Sequence, residues 1–203
     1  LDSNGWTSVF RVITPGPLIW RGDPTDKTVY LTFDDGPTGP FTYEILDILD
    51  NYSAKATFFC VGDNVRKHPE IFREILDRGH RTGNHSYHHL KGWETPWKNY
   101  VADVYKAAEL IGSDLFRPPY GKISQRQVYH LKKDFNIVMW SLLSLDYDLH
   151  FTGEQCLEIV KNNTSPGEIV VFHDNLKAEQ KVRYALPGYL EGLKGEGYSF
   201  GVL

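Results

Sequence analysis

Four short segments of this 203-residue chain carry side chains able to move protons or hold a metal. The first, Thr32-Phe33-Asp34-Asp35-Gly36-Pro37, sets two adjacent carboxylates at the end of an apolar run. Neighbouring side chains on a strand point to opposite faces. The Gly-Pro that follows turns the chain and lets both carboxylates reach one cavity; without it, the pair reads as a solvated strand end. The second, Gly83-Asn84-His85-Ser86-Tyr87-His88-His89, places three imidazoles within five residues. His85 pairs with either His88 or His89 on a helix or tight turn, and either pair can converge on a metal. The third is Arg117-Pro118-Pro119-Tyr120-Gly121. Its Pro-Pro fixes the backbone, Gly121 permits an unusual dihedral, and Arg117 can be held against a carboxylate. In isolation it is an ordinary strand-to-helix loop. The fourth, Val170-Val171-Phe172-His173-Asp174, ends an apolar run on a His, a candidate acid or base that would otherwise be structural. Taken together, one Asp and two His make a metal site, and a second Asp and a distant His remain as proton carriers. Three protein ligands with an open position is the arrangement of a hydrolytic metal centre.

These segments need elements to position them. Val29–Phe33, Ala56–Cys60, Arg81–Asn84, Leu115–Arg117, Ile137–Ser141, Ile169–His173 and Tyr198–Val202 read as strands. Between them, 41–52 shows helical spacing of Phe41, Ile45, Leu46, Ile48 and Leu49, and 69–78 opens on Pro69 and stops before Gly79. A helix is expected from Trp97 to Ile111, stopped by Gly112. Ser124 with Gln127 and Thr152 with Gln155 have capping-box spacing before apolar runs. A last helix covers 178–193 and is expected to break at Pro187. About seven strands alternating with helices predict a parallel α/β fold, a small distorted (β/α) barrel. In such folds reactive groups collect past the carboxyl ends of the strands, where the four segments fall.

Composition sets the outer bounds. A length near ~150 residues per domain predicts one domain over 1–203. A hydrophobic fraction of 41% with 24% charged residues excludes disordered and low-complexity architectures. A net charge of −4 offers no basic field for nucleic acid or an anionic membrane. The longest nearly apolar run, Ile137–Leu145, is far shorter than the ~20 residues that span a bilayer. Two cysteines, Cys60 and Cys156, allow one bridge at most, and Cys60 reads as a buried thiol. The chain begins at Leu1, which suggests a processed or truncated form, and no signal peptide is visible. No protein partner is implied and a monomer is expected.

In order and spacing the segments TFDDGP, HSYHH, RPPYG and VVFHD resemble the motifs of the polysaccharide deacetylases, carbohydrate esterase family four. The resemblance runs from about Val29 to Phe200. It implies a distorted (β/α) barrel and a metal-dependent hydrolase that removes N-acetyl groups from N-acetylglucosamine units of a glycan such as peptidoglycan or chitin. It further implies Asp34 as general base, with Arg117 orienting it, and Asp35, His85 and His89 as metal ligands, His88 falling on a variable position. The Tyr120 N–H would bind the oxyanion and His173 would act as general acid. Zinc suits an Asp-His-His set best, with cobalt or nickel as substitutes. A cell-envelope or secreted location follows from the family's usual substrates.

One motif departs from the family pattern, Asp-x-x-Asp-Trp after a strand. Here the stretch is Leu143-Ser144-Leu145-Asp146-Tyr147, so Leu143 stands at the position of the Asp that tunes the acid. His173 is expected to lack its usual partner unless Asp146, Asp148 or Asp174 replaces it, with an altered pH–rate profile as the consequence. Two further readings compete: an O-acetyl esterase acting on xylan or a similar polymer, and a glycan-binding protein without chemistry. The latter would show loss of Asp34, His173 or a metal ligand, and none is lost. Trp93, Trp97, Tyr120 and Tyr147 lie near the motif loops, where they would stack on sugar rings or simply pack.

Overall fold

The computed structural model describes residues 18–203. Among them, nine strands alternate with seven α-helices. The strands are β1 (Leu18–Ile19), β2 (Thr28–Asp34), β3 (Thr57–Cys60), β4 (Arg81–Asn84), β5 (Leu115–Phe116), β6 (Asn136–Val138), β7 (Leu142–Leu143), β8 (Ile169–His173) and β9 (Ser199–Gly201). The helices are α1 (Pro40–Asn51), α2 (Gly62–Lys67), α3 (Pro69–Asp77), α4 (Trp97–Ile111), α5 (Gln125–Leu131), α6 (Gly153–Asn163) and α7 (Glu179–Gly195). All pairings are parallel, in the order β1-β6-β5-β4-β3-β2-β8-β7, with β9 alongside the first half of β2. The sheet curls into an open, distorted barrel, the expected fold class.

The period-two pattern of the strands divides the core. Phe33, Phe58 and Phe172 turn outward and stack in a row, with centroids 5.0 and 6.0 Å apart, in a cluster shared with the apolar faces of α1 and α7. Their neighbours turn inward. Phe59, Leu115, Val138 and Ile169 fill the concave side of the sheet. Gly83 leaves the room that Phe59 occupies, because a Cβ there would lie 2.5 Å from the Phe59 ring. Thr32 and Asp34 share this inward face, next to Arg117.

Two expectations change. Ile137–Ser141 is not one strand. β6 pairs with β5 and β1 at one end of the sheet, whereas β7 pairs with β8 at the other. Between them Met139 donates its N–H to Ile19 and Ser141 to Ile169. One apolar run therefore bridges the two ends of the sheet, which splits the strand. Second, α7 continues through Pro187. Its Val182, Ala185, Leu186, Tyr189, Leu190 and Leu193 are buried, and Gly188 and Gly192 let α6 approach at Leu157 and Lys161. Packing along the whole face outweighs the local cost of the proline. β1, β7 and α2 are not among the expected elements, because they are too short to give a periodic signal. Both capping boxes form as expected, and α4 ends at Gly112 in the left-handed region. Cys60 and Cys156 are free and buried. No helix among the described residues is long and apolar enough to cross a membrane.

Among the buried titratable groups away from the motifs is a histidine. His80 precedes β4, is 5% exposed, accepts the Ala56 N–H on Nδ1 at 3.2 Å and sets its ring edge-on to Phe58. Burial, reinforced by the Lys55 charge, pushes its pKa from 6.5 down to about 4. The unfolded chain therefore binds a proton that the folded chain refuses between those values, and stability falls as pH falls through that window. The expected loss is up to about 3 kcal/mol, at about 1.4 per pKa unit. Urea midpoints of the parent should drop more steeply between pH 7 and pH 4.5 than those of His80→Gln. Equal slopes would remove His80 as the source.

Candidate active site

The ends of five adjacent strands, β5-β4-β3-β2-β8, build the site. The register aligns Asp34 with His173 on one side and with Phe59 on the other. Cys60 aligns with Asn84, and Asn84 with Phe116, so His85 and Arg117 follow their strands into the same layer. Asp34, inward by alternation, is buried at 4% exposure. Asp35 would face away, but its φ of 79° turns it back. Gly36 is required beside it, because a Cβ there would meet the Asp174 carboxylate at 2.0 Å. Both acidic side chains thereby reach one cavity.

Asp35, His85 and His89 bring one ligand atom each to within 4.8 Å of one another. His89 Nε2 lies 3.1 Å and His85 Nε2 3.6 Å from Asp35 Oδ1. The His85 Nδ1–H donates to the Arg117 carbonyl at 2.8 Å, which fixes the tautomer and leaves the Nε2 lone pair toward the cluster. Burial pushes the His85 pKa down to about 4, against the attraction of Asp34, so the ring stays neutral. Burial alone would raise the Asp35 pKa; the hydrogen bond with His89 and the nearby imidazoles of His173, His85 and His89 outweigh it and hold the carboxyl well below the usual range. Two imidazoles facing an ionised carboxylate make a donor set that fits a divalent cation.

His88 does not join them. Its Nδ1 pairs with Asp103 Oδ1, while Asp103 Oδ2 accepts the Tyr87 and His88 N–H groups at 2.9 and 3.0 Å. Ser86 and His89 take positive φ values of 61° and 55° in this turn. Asp103 was legible as an oddity, a carboxylate on the buried stripe of α4 with Tyr100, Val104 and Ala107.

Arg117 is fully buried beside Asp34. Its Nη1 donates to Asp34 Oδ1 and to Thr32 Oγ1, both at 2.7 Å, and Nη2 to the Met139 carbonyl at 2.9 Å. Its guanidinium lies 4.0 Å over the Phe59 ring. Asp34 Oδ2 is left facing the cluster, 3.9 Å from His85 Nε2. Tyr120, in a single 3-10 turn, has φ 59° and sets its ring edge against His89.

The expected gap beside His173 is filled. Asp146 Oδ1 accepts its Nδ1–H and Asp146 Oδ2 its backbone N–H, both at 2.7 Å. Asp146 is fully buried, with φ 60° at Leu145 turning the chain inward. Lys181 of α7 donates to the carbonyls of Asp146 and Asp148 at 2.8 and 2.7 Å and holds the loop. Burial alone would lower the His173 pKa, but the charge and hydrogen bond of Asp146, with Asp35 and Asp34, lift it to about 9. Of the three carboxylates expected as replacements for the Asp absent at Leu143, Asp146 is the one that partners the imidazole. Leu143 sits on β7 opposite Val171, and Asp146 reaches His173 because the loop after β7 folds back. Leu143→Asp is accordingly expected to leave the pH–rate profile unmoved; a shift of a full pH unit would show that the partner position is still open.

Of the four aromatics near the motif loops, Trp93, Tyr120 and Tyr147 are 50%, 52% and 41% exposed, and the Tyr147 ring stands edge-on to His173. Trp97 instead stacks on His130. Sequence reasoning missed Asn64 and Asn175, which both hydrogen-bond Asp35.

Comparison with known proteins accords with this geometry. The sequence profile of the polysaccharide deacetylases matches residues 21–137. A peptidoglycan-N-acetylglucosamine deacetylase of Bacillus cereus is 33% identical over 193 residues, covering 91% of this chain and 90% of that protein. The crystal structure of the Bc1960 peptidoglycan N-acetylglucosamine deacetylase superposes with a TM-score of 0.85 at 31% identity, over 92% of this chain and 91% of that one. A CE4 family pseudoenzyme from Bacillus anthracis does so at 0.84 and 26% identity, over 94% and 68%. The barrel, the strand-end cluster and these matches over most of the length agree: this chain belongs to the polysaccharide deacetylase family.

Proposed function

We propose that this chain is a metal-dependent deacetylase that hydrolyses the N-acetyl groups of N-acetylglucosamine units in a glycan, peptidoglycan first. The observation that carries the reading is the convergence of Asp35, His85 and His89 beside a buried Asp34–Arg117 pair. A chain that has kept this set differs from a binding protein that has lost its chemistry. That distinction matters because the similar structures include a pseudoenzyme.

Asp35, His85 and His89 would hold the ion, with zinc preferred and cobalt or nickel able to replace it. When bound, the ion would polarise the acetyl carbonyl and acidify a water molecule. Asp34 takes the proton from the attacking water through Oδ2, while Arg117 keeps Oδ1 occupied and the carboxylate oriented. The Tyr120 N–H stabilises the tetrahedral oxyanion, a role supported by the contact of its ring with that of His89. His173 delivers a proton to the sugar nitrogen, which is too basic to leave as an anion. Its Nδ1 is committed to Asp146, so Nε2 is the nitrogen that serves the substrate. An ester needs that last proton less, so an O-acetyl group is within reach of the same site. The peptidoglycan substrate of the relatives supports a location in the cell envelope or outside the cell.

Acetate release from N-acetylglucosamine oligomers and peptidoglycan, measured beside acetylated xylan, tests the proposal. Chelation should abolish release from the first two and added zinc should restore it. Release from xylan alone would move the assignment to an O-acetyl esterase. A zinc-loaded protein that releases acetate from none would place this chain with the non-catalytic relatives.

A further inference from the structure

Asp35 is gripped twice by neutral amides. Asn64 of α2 donates to its backbone carbonyl at 2.8 Å. Asn175, two residues beyond His173, donates Nδ2 to its Oδ2 at 2.7 Å. We propose that Asn175 is a positioning residue for metal binding: it ties down Oδ2 so that Asp35 presents Oδ1 alone to the ion. The inference rests on the reading of Asp35, His85 and His89 as metal ligands.

The orientation of the Asn175 amide follows from its other bonds. Its Oδ1 accepts the backbone N–H groups of Lys177 and Ala178 at 2.9 and 3.0 Å. Oδ1 is thus committed to donors, and only Nδ2 can face a carboxylate. The same two bonds tie the side chain to the turn that leads into α7. The segment before it is equally constrained. The Asp174 N–H donates to the Asp34 carbonyl at 2.8 Å, and the Asp174 carboxylate accepts the Thr38 and Thr42 hydroxyls at 2.8 and 2.7 Å. Asn175 therefore cannot follow a swinging Asp35; it sets where that carboxylate rests.

A carboxylate has two equivalent oxygens and can bind an ion through one or both. Here they are made unequal. Oδ2 is engaged by Asn175, and Oδ1 is the oxygen near both imidazoles. Engaging one oxygen reserves coordination room for substrate and water, which a catalytic centre needs. A neutral donor is also the chemistry required: a Lys or Arg would repel the ion, and a carboxylate would crowd a third negative charge beside Asp34 and Asp35. Finally, Asn175 and His173 stand two residues apart, so the support of the metal ligand and the proposed acid are spaced by the same short segment.

The test is zinc affinity of the metal-free chain, measured by competition with a chromophoric chelator, together with its melting temperature. Asn175→Ser keeps a side-chain oxygen for the turn but cannot reach Asp35, and Asn175→Ala loses both functions. Loss of an outer partner of a metal ligand costs about 10–100-fold in affinity, and that weakening is expected in both variants. The melting temperature should fall further in the Ala variant than in the Ser variant. Ser and Ala variants that bind zinc as tightly as the parent overturn the assignment and leave Asn175 a turn residue. A parent chain that binds no zinc overturns the metal reading, and this inference with it.

Discussion

Asp34→Asn should slow acetate release about 10²–10⁴-fold, the range of a lost general base, while zinc content and fold are retained. The amide is nearly the size of the carboxylate, and its oxygen can still accept the Arg117 Nη1–H that now reaches Oδ1 at 2.7 Å. What disappears is the basic Oδ2 that faces the cluster. Asp34 Oδ2 is 3.9 Å from His85 Nε2, whereas Asp35 Oδ1 lies closer to both imidazoles. That difference is the basis for making Asp35 the ligand and Asp34 the base. Metal analysis of the purified variant beside its rate separates the two roles. Loss of zinc together with rate would make Asp34 a ligand, and a rate within threefold of the parent would put the base elsewhere.

Arg117→Met is expected to have the largest effect on stability, about 3–5 kcal/mol by urea denaturation of the metal-free chain. Arg117 is fully buried and makes three side-chain hydrogen bonds, to Asp34, Thr32 and the Met139 carbonyl. Methionine fills much of the volume but leaves Asp34, only 4% exposed, without its counter-charge. It also removes the brace between β2 and the segment that bridges the two ends of the sheet. Lysine should rescue poorly, because one ammonium cannot reproduce the forked contact or the stacking on Phe59. Combining Arg117→Met with Asp34→Asn should recover part of the loss, since no buried charge is then stranded. A single-variant loss below about 1 kcal/mol, or a double variant as unstable as the sum of the singles, would mean that the pair is not coupled.

How much of this was legible in the chain depends on the range of each signal. Helix stops and caps act within one turn, and Gly112, the Ser124–Gln127 box and the Thr152–Gln155 box all formed where their spacing placed them. The alternation of apolar strands and amphipathic segments specified a parallel α/β fold, because a parallel sheet covered by helices buries both kinds of pattern. Residue types at strand ends named the candidate cluster, since parallel strands deliver their carboxyl ends to one layer. The tertiary structure decided what crosses the barrel. Arg117 meets Asp34 across 83 positions, and Asn175 meets Asp35 across 140. Asp146, rather than Leu143, supports His173 because the loop after β7 folds back and Lys181 holds its carbonyls. The strand break at 139–141 and the continuity of α7 through Pro187 likewise depend on partners elsewhere in the chain. The sequence by itself determined the layered pattern and the chemical types at the strand ends, because those are set by neighbours a few residues apart. Which of them touch was settled only when the sheet curled, because a hydrogen bond of 2.7 Å is decided by the path of the whole sheet and not by any local preference.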